Sequence, residues 1–261
     1  MNECASEFEG LESVDAGSII GRRIVWLKET KSTNDDVRRA AEADEPEGLV
    51  IIADVQNAGR GRMSRTWTSP PGMDILFSVL LRPKASDLPK MPLLSGLAVA
   101  RTLDKFTDVP ITLKWPNDVR AENRKISGSL VESGNSDLGY YAVLGTGVNV
   151  NQDASDHPEI AQIATSLRTL NGKTVSRREV MRILLREMNN IYVNPENMSR
   201  LVSDWSARLE TIGQEIDVRW GDELIHGLAE GVDDTGRLLL RDNEGEIRRL
   251  EAGEVTTVLS D

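Results

Sequence analysis

The amino-acid sequence predicts an α+β fold, in which a mixed sheet with flanking helices is followed by a small C-terminal SH3-like β-barrel. Apolar runs rich in β-branched residues, at 49–55 and 75–82, have the length of buried strands. Residues 176–192 repeat apolar side chains with helical spacing. From residue 212 onward, short strand patterns alternate with turns such as the Asp-Asp-Thr-Gly at 233–236, which is typical of consecutive hairpins.

These patterns divide the chain into an N-terminal tail (1–20), a main domain (21–211) and a C-terminal barrel domain (212–261). A helix is expected to begin at Ser32 or Thr33, either of which can cap it. Ser176 and Glu179 have the spacing of a capping box. The predicted helices are at 92–106, near 160–170, at 176–192 and at 196–209. The predicted strands are at 49–55, 75–82, 111–115, 125–132, 140–150, 214–220, 224–230, 237–241, 246–250 and 255–259.

Composition excludes several classes of protein. A net charge of −11 argues against general nucleic-acid binding, and no apolar stretch approaches the ~20 residues that cross a bilayer. The single cysteine, Cys4, excludes an internal disulfide and a cysteine-based metal site. The acidic N-terminus is unlike a signal peptide, so a cytoplasmic protein is expected. Only eight of the 31 basic residues are lysines, which suits either a high-salt host or a GC-rich genome.

A glycine and arginine loop runs from Gln56 to Arg62, with Gly59 and Gly61 alternating with Arg60 and Arg62. Glycine lets the backbone approach a ligand closely, and arginine offers a fork of donors to carboxylate or phosphate oxygens. Such a run can also be a flexible or RNA-associated segment. Here it lies between two strands of the core, which favours a site at a strand end.

A second basic motif, Lys114-Trp115-Pro116-Asn117-Asp118, is followed by Arg124 to Gly128. Pro-Asn-Asp alone would also suit a simple turn. Together with the loop, however, the motif predicts a pocket that gathers negative oxygens, as the activation of a carboxylic acid by a nucleotide requires. The basic residues concerned are Arg60, Arg62, Arg65, Lys114, Arg124 and Lys125.

In these motifs the chain resembles the biotin protein ligases, also called biotin–[acetyl-CoA-carboxylase] ligases. The similar segments are Ser32-Thr33-Asn34, Gln56 with Gly59 to Arg62, Ser69 to Gly72, Lys114 to Asp118, Lys125 to Gly128 and Gly145 to Asn149, in family order. One departure is Met63-Ser64-Arg65, where the family often has a further arginine and glycine. The first twenty-odd residues are too few for a helix-turn-helix domain, so the form without a DNA-binding domain, and no nucleic-acid partner, is expected.

The resemblance implies that ATP and Mg²⁺ activate biotin to biotinyl-5′-AMP, and that a lysine of the biotin carboxyl carrier protein then accepts the biotinyl group. It implies Lys125, Asp118 and Arg60 as catalytic residues, with Asp118 either holding the metal or orienting the acceptor amine. The biotin-binding residues implied are Ser32, Thr33, Asn34, Gln56, Arg60, Gly61, Arg62, Lys125 and Gly128. Those implied for ATP and the adenylate are Arg60, Arg62, Arg65, Trp67, Lys114, Asn117, Asp118 and Asn149.

Three questions remain open on the sequence alone. A lipoate–protein ligase would share the fold and the adenylate strategy, and a binding module would use the barrel and the loop to recruit protein or RNA. Trp67 and Trp115 are more readily interpreted as core aromatics than as ligand contacts, and Trp67 is the better candidate to shield an adenylate. His157 and His226 lie outside every motif and are interpreted as ordinary residues. Whether the chain forms a homodimer is also left open.

Overall fold

The main domain is built on a seven-stranded mixed sheet. The structure, a computed structural model, describes residues 7–8, 10–11, 17–63, 65–153, 161–251 and 253–257. The strand order is β1-β2-β3-β7-β6-β5-β4, and β1 runs parallel to β2 while every other neighbouring pair is antiparallel. The strands are β1 (Arg23–Leu27), β2 (Leu49–Ala53), β3 (Ile75–Leu81), β4 (Ile111–Lys114), β5 (Asp118–Ala121), β6 (Arg124–Ser136) and β7 (Gly139–Val148).

Helices cover the sheet and complete the hydrophobic core. They are α1 (Thr33–Glu42), α2 (Met91–Leu103), α3 (Leu167–Asn171), α4 (Arg177–Val193), α5 (Pro195–Ser199) and α6 (Leu201–Ser206), with a 3₁₀ helix at Ala85–Lys90. Nearly every residue of α2 is buried. A helix that is apolar on all sides must be enclosed, and α2 packs against the sheet as well as against α4 and α6. None of the helices in these described ranges is long and apolar enough to cross a membrane.

The C-terminal part forms a five-stranded antiparallel sheet in the order β11-β10-β9-β8-β12. Its strands are β8 (Glu215–Trp220), β9 (Glu223–Val232), β10 (Leu238–Asp242), β11 (Ile247–Leu250) and β12 (Glu254–Thr257). The mixed sheet with flanking helices and the small C-terminal antiparallel sheet confirm the predicted fold class. The two parts are in contact, since Trp115 Nε1 donates a hydrogen bond of 3.1 Å to the Gly236 carbonyl.

The elements predicted from the sequence differ from the structure in three places. Strands β1 and β5 were not predicted, because edge and hairpin strands depend on their neighbours more than on an apolar run of their own. The helix expected at 196–209 is two short helices that meet at Arg200, whose backbone is not helical (φ −93°, ψ 0°). The helix expected near 160–170 is limited to α3 within the described residues, and the positions 154–160 lie outside them.

The capping predictions had mixed outcomes. Ser176 Oγ accepts a hydrogen bond of 3.2 Å from the Glu179 amide, as predicted. Ser32 occupies the cap position of α1 with an extended backbone (φ −162°), but its own side chain makes no capping hydrogen bond. The hydroxyl of Thr33 is directed to Gln56 and Ser78 instead. The capping interpretation of this segment was therefore wrong, and its side chains are available to the site described below.

Part of the predicted N-terminal tail is attached to the main domain. Phe8 is buried, and the guanidinium of Arg177 lies 4.8 Å from the centre of its ring. Arg178 donates a hydrogen bond of 2.8 Å to the Glu7 carbonyl. Cys4 and His157 lie outside the described residues. The described residues 7–8 and 10–11 thus belong to the packed structure of the main domain.

Candidate active site

The predicted site residues line one cavity with a volume of about 350 Å³. It lies where the strand ends of the main sheet, the glycine and arginine loop and the start of β12 meet. All fifteen predicted side chains or backbones contribute to its wall: Ser32, Thr33, Asn34, Gln56, Arg60, Gly61, Arg62, Arg65, Trp67, Lys114, Asn117, Asp118, Lys125, Gly128 and Asn149. Residues separated by more than a hundred positions in the chain are therefore brought together as one site.

The glycine and arginine loop forms a narrow hairpin over the cavity. The Gly61 amide donates a 2.7 Å hydrogen bond to the Arg65 carbonyl, and the Trp67 amide donates one of 3.0 Å to Gly59. Met63, at the turn, has a positive φ of 53°. The Arg65 guanidinium forms an ion pair with Glu254 of β12. The loop is consequently fastened to the C-terminal sheet at its tip.

The two arginines of the loop have different surroundings. Arg60 forms ion pairs with Asp35 at 2.8 Å and with Glu132 at 3.2 Å. The hydrogen bond from Arg60 lowers the pKa of the Asp35 carboxyl, and the same contact raises the pKa of Arg60. Arg62 donates a 3.1 Å hydrogen bond to the Asn117 amide oxygen, and within the described part of the chain it forms no ion pair. Burial lowers the pKa of Arg62, as expected for a cation with a neutral partner.

Lys125 lines the cavity close to both Asp118 and Trp67. Its ammonium is 2.6 Å from a carboxylate oxygen of Asp118 and 5.5 Å from the centre of the Trp67 ring. Gly128 and Gly147 leave the room for this arrangement: a Cβ on Gly128 would lie 2.8 Å from the Lys125 ammonium, and one on Gly147 would overlap the Trp67 indole. The absence of a side chain at Gly128 thus makes room for the Lys125 side chain of the protein itself.

The two candidate tryptophans differ in their contacts. Trp67 is half-buried against the cavity, and its indole nitrogen has no hydrogen-bond partner among the described residues. Trp115 is 2 % exposed and hydrogen-bonded to the C-terminal sheet, although part of it also reaches the cavity wall. Trp67 is accordingly the tryptophan whose environment a ligand would change most.

The remaining predicted residues of the nucleotide group are also partly enclosed. Burial lowers the pKa of Lys114, and the nearby Arg120 adds to this effect. Asn117 donates a 2.6 Å hydrogen bond to the Ser129 carbonyl, which leaves its amide oxygen to Arg62. The Asn149 side chain donates a hydrogen bond of 3.0 Å to the Thr165 carbonyl. Arg124, expected among the basic residues of the pocket, pairs with Glu122 and does not line the cavity.

At the other end of the cavity, hydroxyl and amide groups form a chain of hydrogen bonds. Gln56 Oε1 accepts from the Thr33 amide at 2.8 Å and lies 3.1 Å from the Thr33 hydroxyl. That hydroxyl is also 2.7 Å from Ser78 Oγ, which donates to Asn34 Oδ1 at 2.6 Å. Because Thr33 has one hydroxyl proton, Ser78 and Gln56 compete for it. A ligand with amide-like donors and acceptors can replace one of these hydrogen bonds and pair with Thr33 or Gln56.

Sequence reasoning missed several residues of the site. Asp35, Glu132 and the segment 253–255 of the C-terminal sheet all contribute to it. Side chains two residues apart lie on the same side of a strand, so Glu132 shares a face of β6 with Leu130. This alternation could have indicated Glu132 as a residue near the site. No local signal indicates Glu254, because its contact with Arg65 depends on how the two sheets meet.

Comparisons with known proteins agree with the geometry. Residues 26–149 match the model of the biotin/lipoate A/B protein ligase family, and residues 211–256 match that of the biotin protein ligase C-terminal domain. A biotin–[acetyl-CoA-carboxylase] ligase of Mycobacterium tuberculosis is 36% identical over 90% of this chain and 88% of its own length. The chain belongs to the biotin protein ligase family. The resemblance carried by the motifs is confirmed, as is the prediction of an ATP-dependent biotin ligase.

Two further relatives support the family assignment. The bifunctional ligase/repressor BirA of Bacillus subtilis is 31% identical over 91% of this ligase and 74% of its own length. The structure of a biotin protein ligase from Aquifex aeolicus in complex with biotin and ATP superimposes with a TM-score of 0.76 at 33% identity, covering 92% of this ligase and 100% of that chain. The relationship therefore extends through both sheets of this ligase.

Proposed function

We propose that this ligase joins biotin to ATP in the 350 Å³ cavity and then transfers the biotinyl group to a lysine of a biotin carboxyl carrier protein. In the first step a biotin carboxylate oxygen attacks the α-phosphorus and pyrophosphate leaves. In the second step the lysine amine attacks the mixed anhydride, an amide forms, and AMP and a proton leave. The observation that supports this most is the convergence of all fifteen family-type residues on one cavity.

Lys125 and Arg62 are the proposed cations of the first step. Two anionic reactants repel each other, and fixed positive charges in a partly enclosed site offset that repulsion as negative charge develops. Arg62 suits this role because its only described polar partner is the neutral Asn117. Lys125 suits it because Asp118 and Trp67 hold its ammonium within the cavity.

Thr33, Gln56 and Ser32 are proposed to recognise the ureido ring of biotin. That ring has two N–H donors and one carbonyl acceptor, and these side chains offer both kinds of group. They are attached to the start of α1 and to the end of β2, so their spacing is set by the main sheet. Gly128 and the neighbouring part of β6 are proposed to line the path of the valeryl chain.

Asp118 is proposed either to share a Mg²⁺ ion with the phosphates or to orient the acceptor amine. The oxygen donors of Asp118 and Asn117 suit Mg²⁺, which is usually held by one or two carboxylates together with phosphate oxygens. Bound there, the ion would neutralise charge on the polyphosphate. In either role Asp118 must release Lys125, so the ion pair of 2.6 Å is expected to rearrange when the reactants bind.

Pyrophosphate release in the presence of ATP and Mg²⁺ tests the proposal. Biotin should stimulate release, lipoate should not, and an isolated carrier domain should become biotinylated on lysine. Lys125→Ala should lose roughly 2.7–4 kcal/mol of transition-state stabilisation while keeping its fold. A wild-type protein that releases no pyrophosphate with biotin between pH 7 and 9 would refute the assignment. Because the reaction consumes ATP, we propose the cytoplasm as its compartment.

A further inference from the structure

The Arg60 guanidinium is held on two sides by carboxylates that belong to other elements. Nη1 donates to Asp35 Oδ2 at 2.8 Å, and Nη2 donates to Asp35 Oδ1 at 3.0 Å. Nη2 also donates to the Glu132 carboxylate at 3.2 Å. We call Asp35 and Glu132 the acidic bracket. Since Asp35 lies in the first turn of α1 and Glu132 lies in β6, the bracket ties the glycine and arginine loop to the main sheet and its first helix.

The charge of this group suggests what Arg60 does. Arg38 also donates to Asp35 at 2.9 Å, so two guanidiniums face two carboxylates, and Arg60 adds no uncompensated positive charge to the site. It therefore cannot offset the repulsion between two anionic reactants as Arg62 can, whose described polar partner is neutral. The guanidinium donors of Arg60 are occupied by carboxylate oxygens of the protein, so Arg60 holds the loop in place.

The bracket is also connected to the proposed biotin end of the cavity. Glu132 accepts a hydrogen bond of 2.8 Å from the Asn34 amide, and Asn34 accepts one of 2.6 Å from Ser78. Ser78 lies 2.7 Å from the Thr33 hydroxyl. A Cβ on Gly145 would overlap the Asn34 amide, so this amide fits one narrow space. An unbroken path of hydrogen bonds thus joins Arg60 to Thr33.

We propose that Asp35 and Glu132 are positioning residues for biotin. They act through Arg60 and Asn34, hold the loop against the main sheet, and keep the hydroxyl of Thr33 at its site, without adding charge to the reaction. This inference rests on the proposed role of Thr33 in binding the ureido ring. It goes further by assigning the biotin affinity of this ligase partly to two acids that no motif contains.

A double-mutant cycle tests the inference. Asp35→Asn and Glu132→Gln should each raise the dissociation constant for biotin by about fivefold, because the pairs are partly exposed and worth less than buried ones. The KM for ATP and the melting temperature should stay near the wild-type values. Trypsin should cleave the loop faster in both variants, before any ligand is added. Asp36→Asn is the matched control, since it removes an acid from the same turn without touching Arg60.

The decisive comparison is made in an Arg60→Ala background. If the bracket acts through Arg60, adding Asp35→Asn should weaken biotin binding no further. Losses that simply add would overturn the inference, as would unchanged biotin affinity in both single variants. Glu132→Gln also disturbs Asn34, so Asp35→Asn alone decides the matter if the first variant fails to fold. A wild-type protein without biotin-dependent pyrophosphate release would instead count against the proposed function.

Discussion

A single methyl group added at Gly128 should impair catalysis while leaving the fold intact. In the structure a Cβ at this position would lie 2.8 Å from both Cε and the ammonium of Lys125, and 3.3 Å from the Trp67 ring. Non-bonded carbon atoms rest at about 3.5–4.0 Å, so the end of Lys125 must retreat by roughly 1 Å in Gly128→Ala. Its 2.6 Å ion pair with Asp118 cannot survive that movement unchanged.

The size of the effect follows from this displacement. A misplacement of about 1 Å in a reacting constellation costs on the order of 10²-fold in rate. That factor corresponds to roughly 2.7 kcal/mol of transition-state stabilisation. The stability should change far less, because a flexible lysine end can move, and alanine restricts the unfolded chain by about 0.4–1 kcal/mol in favour of folding. The melting temperature should therefore stay within roughly 4 °C of the wild type.

Biotin-dependent pyrophosphate release, measured at saturating ATP, is the assay for Gly128→Ala. Gly231→Ala in β9 is the matched control, because a Cβ there meets no atom within 4 Å. In a Lys125→Ala background the added methyl no longer meets the lysine, and only the 3.3 Å approach to Trp67 remains, so Gly128→Ala should cause little further loss. A Gly128→Ala enzyme whose turnover stays within about threefold of the wild type would show that the position of the Lys125 ammonium does not limit the first step.

Two further predictions concern Lys114 and the loop. Burial lowers the pKa of Lys114 in the folded protein. Below this lowered pKa the charged ammonium destabilises the fold, and the destabilisation is relieved as the pH rises toward 10.5, the usual pKa of lysine. Lys114→Met should therefore melt above the wild type at pH 7, by a margin that narrows toward pH 10, and should bind ATP more weakly in calorimetry; a constant margin would contradict the reasoning. Biotin should slow tryptic cleavage after Arg60, Arg62 and Arg65, and equal rates with and without biotin would show that ligand does not order the loop.

The sequence was most informative where function and local pattern coincide. The segments from Ser32, Gln56, Lys114 and Lys125 lie at the ends of elements. Ser32 precedes α1, Gln56 follows β2, Lys114 ends β4 and Lys125 lies near the start of β6, and strand ends of one sheet lie together. This is why motifs far apart in the chain could be assigned to one cavity. The apolar runs of β2, β3 and β7 were equally clear, since strands buried on both faces show as continuous hydrophobic segments.

What escaped sequence reasoning depends on long-range contacts. Strand β1 has a half-buried pattern and exists through its parallel pairing with β2. Asp35 lies in the first turn of α1, where an acid suits the helix dipole, and it also binds Arg60 across 25 positions. Glu132 and Glu254 were not predicted as site residues, and only the folded sheets bring them to Arg60 and Arg65. Charged residues with distant partners have no periodic signature, so propensity and spacing cannot predict their pairing.

The placement of Trp67 gives this protein a built-in optical reporter. Its indole lies against two glycines and beneath an ammonium, with an unpaired N–H, at the wall of the cavity. Trp115 and Trp205 are each 2 % exposed and held in the core, so filling the cavity changes their surroundings much less. Indole emission responds to nearby charge and to the departure of water. Trp26 and Trp220 are not among the residues that line the cavity, so ligand occupancy can be followed on unlabelled enzyme, in real time, as a change in intrinsic fluorescence that arises mainly from Trp67.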